Sequence, residues 1–287
     1  PIMFYINPDR KTFRKILTEK LGTEPEEIVI IDPMAGGGSI PLESLRYGFK
    51  TIAIEYNPVA YIILKATLEY PAKYGVKLYE NVRNEARKLI EFAKKELGKY
   101  YPEDTYNYIF ARGFICPEPE CKGLVPIIHG IRLGKGGPYI KFNFDKEKKT
   151  FTVDVVKEET IYEKLRCPYC GTPFVAETVF KQWVKKHKQL LKHALSGDEE
   201  AVEKASKELL KVYIPLVKQT KKGFVPCDDK DKELFLKAYK DLALQAKKLK
   251  QFIPSHLIPN ENEVFKPVRN YGIKYWYELF NPRQLLV

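Results

Sequence analysis

The sequence predicts an α/β protein: a parallel β-sheet covered by helices, followed by a smaller β module and a helical module. Three observations carry this prediction. Ile28–Ile31 is a β-branched run that leads into Asp32, a glycine-rich turn and a helix start. Thr51–Ile54 repeats the apolar run and ends in Glu55, after which Asn57-Pro58 opens a helix. From Tyr106 the pattern changes to short strand-like runs, and from residue 178 it returns to helical spacing.

Taken in order, residues 9–21 place Phe13, Ile16, Leu17 and Leu21 on one helical face, with Gly22 as a stop. Both apolar runs suit parallel strands buried on two faces, joined by a helix from about Ser39 to Tyr47. The helix opened by Asn57 carries Val59, Ile62, Ile63, Ala66 and Tyr70, and another over about 77–98 carries Leu78, Val82, Leu89, Ala93 and Leu97. No third strand is expected before residue 106. Tyr139–Phe144 and Thr150–Val155 form a hairpin about a charged turn at 145–149. Residues 178–250 read as helical, broken at Ser196-Gly197 and at Gly223–Pro226, and the tail from Phe252 has no period. The expected domains are 1–108, 109–178, 179–255 and a tail, 256–287, that returns to the core.

The 287 residues are 44% hydrophobic and 13% aromatic, which excludes a disordered chain. A net charge of +12 and a pI near 9.2 favour a polyanionic partner, nucleic acid first. The competing reading is a lysine-solvated, heat-stable surface, since Lys, Glu and Tyr abound beside two Met, as in thermophiles. With no apolar run of about 18 residues and no signal-peptide pattern, a cytoplasmic protein without membrane association is expected. The start at Pro1 suggests processing, trimming or a fragment.

A dinucleotide turn reads Gly-x-Gly-x-x-Gly, but Pro41 stands where the third glycine belongs. Asp32-Pro33-Met34-Ala35-Gly36-Gly37-Gly38, with Glu55 at the end of the next strand, instead fits a ligand with an amino-acid moiety and a ribose. S-adenosylmethionine has both. Asp32 is placed near its ammonium, the glycines at its carboxylate and sulfonium arm, Glu55 on the ribose hydroxyls, and Tyr56, beside Asn57, on adenine. The opposing reading is a tight turn with Glu55 as a surface cap.

Cys116-Pro-Glu-Pro-Glu-Cys121 and Cys167-Pro-Tyr-Cys170 are two cysteine knuckles. In a reducing compartment they point to a structural zinc held by four thiolates before they point to disulfides, although the first spacer is longer than the common two residues. Cys227 stands alone as a plain buried thiol, and His129, His187, His193 and His256 have no ligand spacing. Lys181, Lys185, Lys188 and Lys192 fall on one helical face, able to meet successive phosphates of nucleic acid. A solvated helix face is the alternative.

On these residues the chain resembles the adenine-specific DNA methylases that contain a zinc ribbon. The resemblance rests on Asp32–Glu43, Glu55–Ala60, the two knuckles and Phe280–Leu286. It implies a Rossmann-like class I methyltransferase fold, S-adenosylmethionine as donor and a base amine as acceptor. Members of the family hold the amine with Asp or Asn-Pro-Pro-aromatic, and that tetrapeptide does not occur here. Its nearest approach, Asn281-Pro282-Arg283-Gln284, has Arg283 for the second proline and Gln284 for the aromatic. The expectation is therefore an incomplete sheet, the donor-binding front of a methylase or half of a split one. A second chain or a C-terminal portion then supplies the acceptor motif and covers the open edge of Ile28–Ile31. An RNA base methyltransferase and a non-catalytic zinc-ribbon nucleic-acid-binding subunit with a vestigial donor pocket fit the same features.

Overall fold

The computed structural model describes residues 9–259 and 263–286. It is a mixed α/β structure that divides into two compact units, Pro1–Phe92 and Ala93–Val287. No helix among the described residues is long and apolar enough to cross a membrane.

In the first unit, α1 (Arg10–Leu21) is capped by the Asp9 side chain, which accepts from the Thr12 N–H, and stops at Gly22 in a left-handed conformation. Its Phe13 packs on Tyr47 and Phe49, with ring centroids 4.7 and 5.6 Å apart. Strands β1 (Val29–Asp32) and β2 (Lys50–Ala53) pair in parallel, and α2 (Ser39–Tyr47) connects them. Gly38, rather than Ser39, is the cap residue of α2. Asn57 caps α3 (Pro58–Leu64), which passes through a π-helical turn, Lys65–Glu69, into α4 (Tyr70–Leu97). Gly75, with φ 58° and ψ −145°, breaks α4 close to where the sequence predicts its start.

Among the described residues no larger parallel sheet is present. The parallel sheet has two strands, and the expectation of strands buried on both faces is corrected: Val29, Ile31 and Ile52 are each about half exposed. Among the described residues β1 has no sheet neighbour besides β2, so burial on both faces has no second strand and helix to create it.

The second unit is built on a four-stranded antiparallel sheet ordered β4-β3-β7-β8, from β3 (Thr105–Ile115), β4 (Leu124–Ile127), β7 (Tyr213–Thr220) and β8 (Gly223–Pro226). The predicted hairpin is present as β5 (Tyr139–Asp145) and β6 (Thr150–Val156). Three helices pack together: α5 (Ala176–Ser196), α6 (Glu199–Val212) and α7 (Asp229–Leu249). Their shared core contains Leu191, Leu209, Tyr239 and Leu242, all fully buried.

The reading of 178–250 as helical is corrected at β7, which lies at the centre of the sheet. It begins directly after α6 with no glycine or proline between them, and Pro215 argues against a central strand by sequence alone. The chain accommodates that proline at a register shift opposite Phe110. Gly113 of β3 is equally constrained, since a Cβ there would meet the Lys211 carbonyl oxygen at 1.6 Å. In the tail, Ile258 and Ile273 pack on Val184, Leu285 and Leu286 enter the three-helix core, and α8 (Lys266–Asn270) lies between Ile258 and Ile273 in sequence.

Candidate metal centre and glycine-rich loop

In the first unit the loop from Asp32 to Gly38 leaves the C-terminal end of β1, beside the end of β2, where open parallel sheets place their ligands. The Ala35 N–H donates to the Ile54 carbonyl at 3.1 Å and the Ile54 N–H to the Asp32 carbonyl at 2.9 Å, which ties the loop to the second strand. Gly38 closes a turn on Ala35 at 2.8 Å. Its φ of 82° is left-handed, and a Cβ there would lie 2.6 Å from Leu64 Cδ2. Asp32 is buried, and one of its carboxylate oxygens accepts from the Met34 N–H at 3.3 Å.

Glu55 reaches across to this loop. Its two oxygens accept from the Gly36 N–H at 2.6 Å and the Asn57 N–H at 2.8 Å. The N–H groups of Asn57 and Gly36 hold its carboxyl below the usual range, so it is ionised at neutral pH. Asn57 caps α3, while Tyr56 and Met34 project fully into solvent. Pro33 and Gly37 complete the loop, and a Cβ at Gly37 would meet nothing within 4 Å.

In the second unit the two knuckles meet. Cys116 Sγ lies 3.7 Å from Cys170 Sγ, Cys121 Sγ lies 3.6 Å from Cys167 Sγ, and all four sulfurs fall within 4.8 Å of one another. An ion bound at about 2.3 Å by four thiolates needs a tetrahedron with edges of about 3.8 Å, so the four sulfurs can hold a metal ion and are compatible with zinc. Each knuckle turns the same way: Lys122 and Gly171, which follow the second cysteine of each pair, have φ of 49° and 79°. The Cys116 N–H donates to the Gly123 carbonyl and the Cys167 N–H to that of Thr172, at 3.0 and 2.8 Å.

Burial pushes the thiols of Cys116 and Cys167 up. The Thr172 hydroxyl and backbone N–H hold Cys170 down, at about 6. Phe114, Val125 and Val179 pack around the cluster, with three cysteines buried and Cys170 exposed. Among the described residues no other ligand side chain joins the four sulfurs, a donor set that suits a structural ion. Cys227 lies outside the cluster, half-buried, and no histidine joins a metal group among the described residues.

On α5, Lys181, Lys185 and Lys192 face solvent, and Lys181 pairs with Glu177 at 2.6 Å. Lys188 turns inward, donating to the Gly272 carbonyl at 3.0 Å and pairing with buried Glu278 at 3.1 Å. His187, which precedes Lys188, is buried. Its Nε2–H donates to the Glu278 carbonyl at 2.7 Å, and its Nδ1 accepts from the Tyr213 hydroxyl. Asn281 and Gln284, the nearest approach to an acceptor motif, cap one another: the Gln284 N–H donates to the Asn281 side chain and the Asn281 N–H to that of Gln284. Arg283 between them is buried.

Sequence reasoning missed a cleft of about 470 Å³ in the second unit, whose lining includes Arg112, Arg132, Trp183 and Phe280. The available signal was Arg112 itself, a cation set within the aromatic and apolar run of β3.

The fold and site define a mixed α/β protein with four clustered cysteines that could hold a metal ion and a glycine-rich loop at the end of a parallel strand pair. Among known proteins, no family model, no curated protein and no solved structure matches the chain.

Proposed function

We propose that the chain is the donor-binding portion of an S-adenosylmethionine-dependent methyltransferase acting on a nucleic-acid base, with the exocyclic amine of adenine in DNA as acceptor. The observation that carries this reading is the bond from the Gly36 N–H to Glu55, which brings a glycine-rich loop and an ionised acid together at the ends of two parallel strands. In this reading Asp32 faces the ammonium of the donor, the N–H groups of Gly36 to Gly38 meet its carboxylate, and Glu55 accepts from its ribose hydroxyls. The donor supplies, when bound, a methyl group already activated by its sulfonium. The contribution of the protein is to hold that group in line with an acceptor.

The four cysteines then hold a structural zinc that fixes the β4 end of the sheet. Asn281–Gln284 is absorbed by packing and capping, so the acceptor-binding residues come from another polypeptide or a further segment. That same absorption favours a second reading, a zinc-bearing nucleic-acid-binding subunit whose donor loop no longer serves chemistry.

Calorimetric titration of the full chain with S-adenosylmethionine tests the proposal. A saturable heat that Glu55→Gln weakens tenfold or more supports it, and the absence of heat in the parent overturns it. Donor binding with no methyl transfer to DNA or RNA, in the presence of any chain that carries the acceptor tetrapeptide, favours the second reading.

A further inference from the structure

The cleft in the second unit is walled by β3, the segment after β4, α5, the first residue of β7 and the tail around Phe280. Its charged lining is of one sign. Arg112 and Arg132 border it with His129 and His187, and among the described residues no aspartate or glutamate does. Among the described residues neither arginine has a carboxylate within ion-pair distance. The Arg112 guanidinium lies over the rings of Phe180 and Trp183, at 5.3 and 5.1 Å from their centroids, and Arg132 lies 5.9 Å from that of Tyr139.

The helix lysines around it differ: Lys181, Lys186 and Lys188 each pair with a glutamate of this chain. Neighbouring protein atoms lower the pKa of Arg112, while its side chain stays exposed to solvent at the cleft. An exposed guanidinium with no carboxylate partner among the described residues, set over two rings, is open to an anion from outside the chain. Its planar fork matches two oxygens of a phosphate.

We propose that this cleft binds a phosphate-bearing nucleotide unit of single-stranded nucleic acid, with the phosphate between Arg112 and Arg132 and the base against the exposed ring of Phe280. Its volume of about 470 Å³ lies within the range of small-ligand sites, about 300–1,000 Å³, and suits one nucleotide rather than a duplex. Single strands offer an unstacked base to an aromatic platform, and the net charge of +12 draws in the rest of the strand. The proposal shares with the function above only a nucleic-acid partner. It is independent of donor binding and moves the principal contact from the lysine stripe of α5 to the two arginines.

The test is fluorescence anisotropy of the full chain with labelled 12-nucleotide DNA and RNA single strands over a salt series, with adenosine monophosphate as competitor. Arg112→Gln plus Arg132→Gln weakens binding at least tenfold and makes the log–log salt slope shallower by about 1.4, for two single-strand phosphate contacts. Lys181→Ala plus Lys192→Ala changes affinity less than threefold. Arg132→Gln alone, which leaves the ring contacts of Arg112 untouched, weakens binding at least threefold and keeps the test valid if the double variant unfolds. Unchanged affinity and salt slope in folded arginine variants overturns the proposal. So does a parent that binds the mononucleotide but neither strand, since the cleft then serves free nucleotides.

Discussion

The guanidinium of Arg283 lies 4.4 Å from the ring centroid of Tyr108, whose hydroxyl donates to Asp231 at 2.6 Å. Tyr101, at 4.3 Å, and Phe235, at 5.3 Å, add further faces, and Arg283 also donates to the Tyr100 carbonyl at 3.3 Å. Asp231 in turn accepts from Lys218 at 2.8 Å and from the Asp228 N–H at 2.9 Å. Two cations and the Asp231 carboxylate thus close a buried network that joins tail, sheet and α7. Removing one member leaves its partners charged and dry, so Asp231→Ala is expected to cost about 3–5 kcal/mol in urea denaturation. Arg283→Lys keeps the charge but not the planar stack and loses about 1–2 kcal/mol. Equal losses for the two variants would contradict the network.

His187 gives the second unit an acid sensitivity. Burial lowers its pKa to about 4, and the neutral ring is held between the Tyr213 hydroxyl and the Glu278 carbonyl. In the unfolded chain an ordinary histidine protonates near pH 6.5, so below that pH the unfolded state binds the extra proton and the folded state does not. Stability therefore falls as pH drops from about 6.5 towards 4, and this contribution levels off below. Between pH 7 and pH 4.5 the parent loses about 2–3 kcal/mol more than His187→Gln, read from paired denaturation curves. A parallel loss in both proteins would assign the acid sensitivity to other groups.

Much of this structure is legible in residue patterns, and what was not legible depends on partners far along the chain. Asp9, Gly22, Asn57 and the Tyr139–Val155 hairpin follow from local rules, because capping and two-residue alternation are decided within a few positions. The four cysteines announce their meeting through spacing alone. β7 was hidden because Pro215 is acceptable only at a register shift that β3, a hundred residues earlier, creates. Arg283 reads as a failed motif until Tyr101, Tyr108 and Phe235 surround it, and Lys188 reads as a free cation until Glu278 turns it inward. The Arg112 cleft has the same cause, since its walls come from five separate segments.

Metal removal is expected to loosen one end of the sheet and spare the helices. The cluster of Phe114, Val125 and Val179 is small and is organised around the sulfurs, whereas α5, α6 and α7 share a separate core. Elemental analysis of the purified chain should find about one zinc per molecule. Chelation or Cys167→Ser then abolishes hydrogen-exchange protection in Leu124–Ile127 while α6 and α7 retain theirs. Protection that is unchanged at β4 after complete zinc loss would show that packing alone holds the knuckles.

The glycines of the first loop separate a structural role from a ligand-binding one. Gly38 is required by the fold: at φ 82° a Cβ is strained and also meets Leu64 Cδ2 at 2.6 Å, so Gly38→Ala should destabilise the first unit by about 2–3 kcal/mol. Gly37 has no positive φ, and its Cβ would enter open space, so Gly37→Ala should leave thermal stability within about 0.5 kcal/mol of the parent. If the loop N–H groups receive the carboxylate of a donor, that same methyl group stands where the ligand must approach. Gly37→Ala is therefore expected to weaken S-adenosylmethionine binding at least tenfold in calorimetry with no loss of stability. Parent-like affinity in Gly37→Ala would leave Gly38 as a turn residue and remove the loop from the donor site.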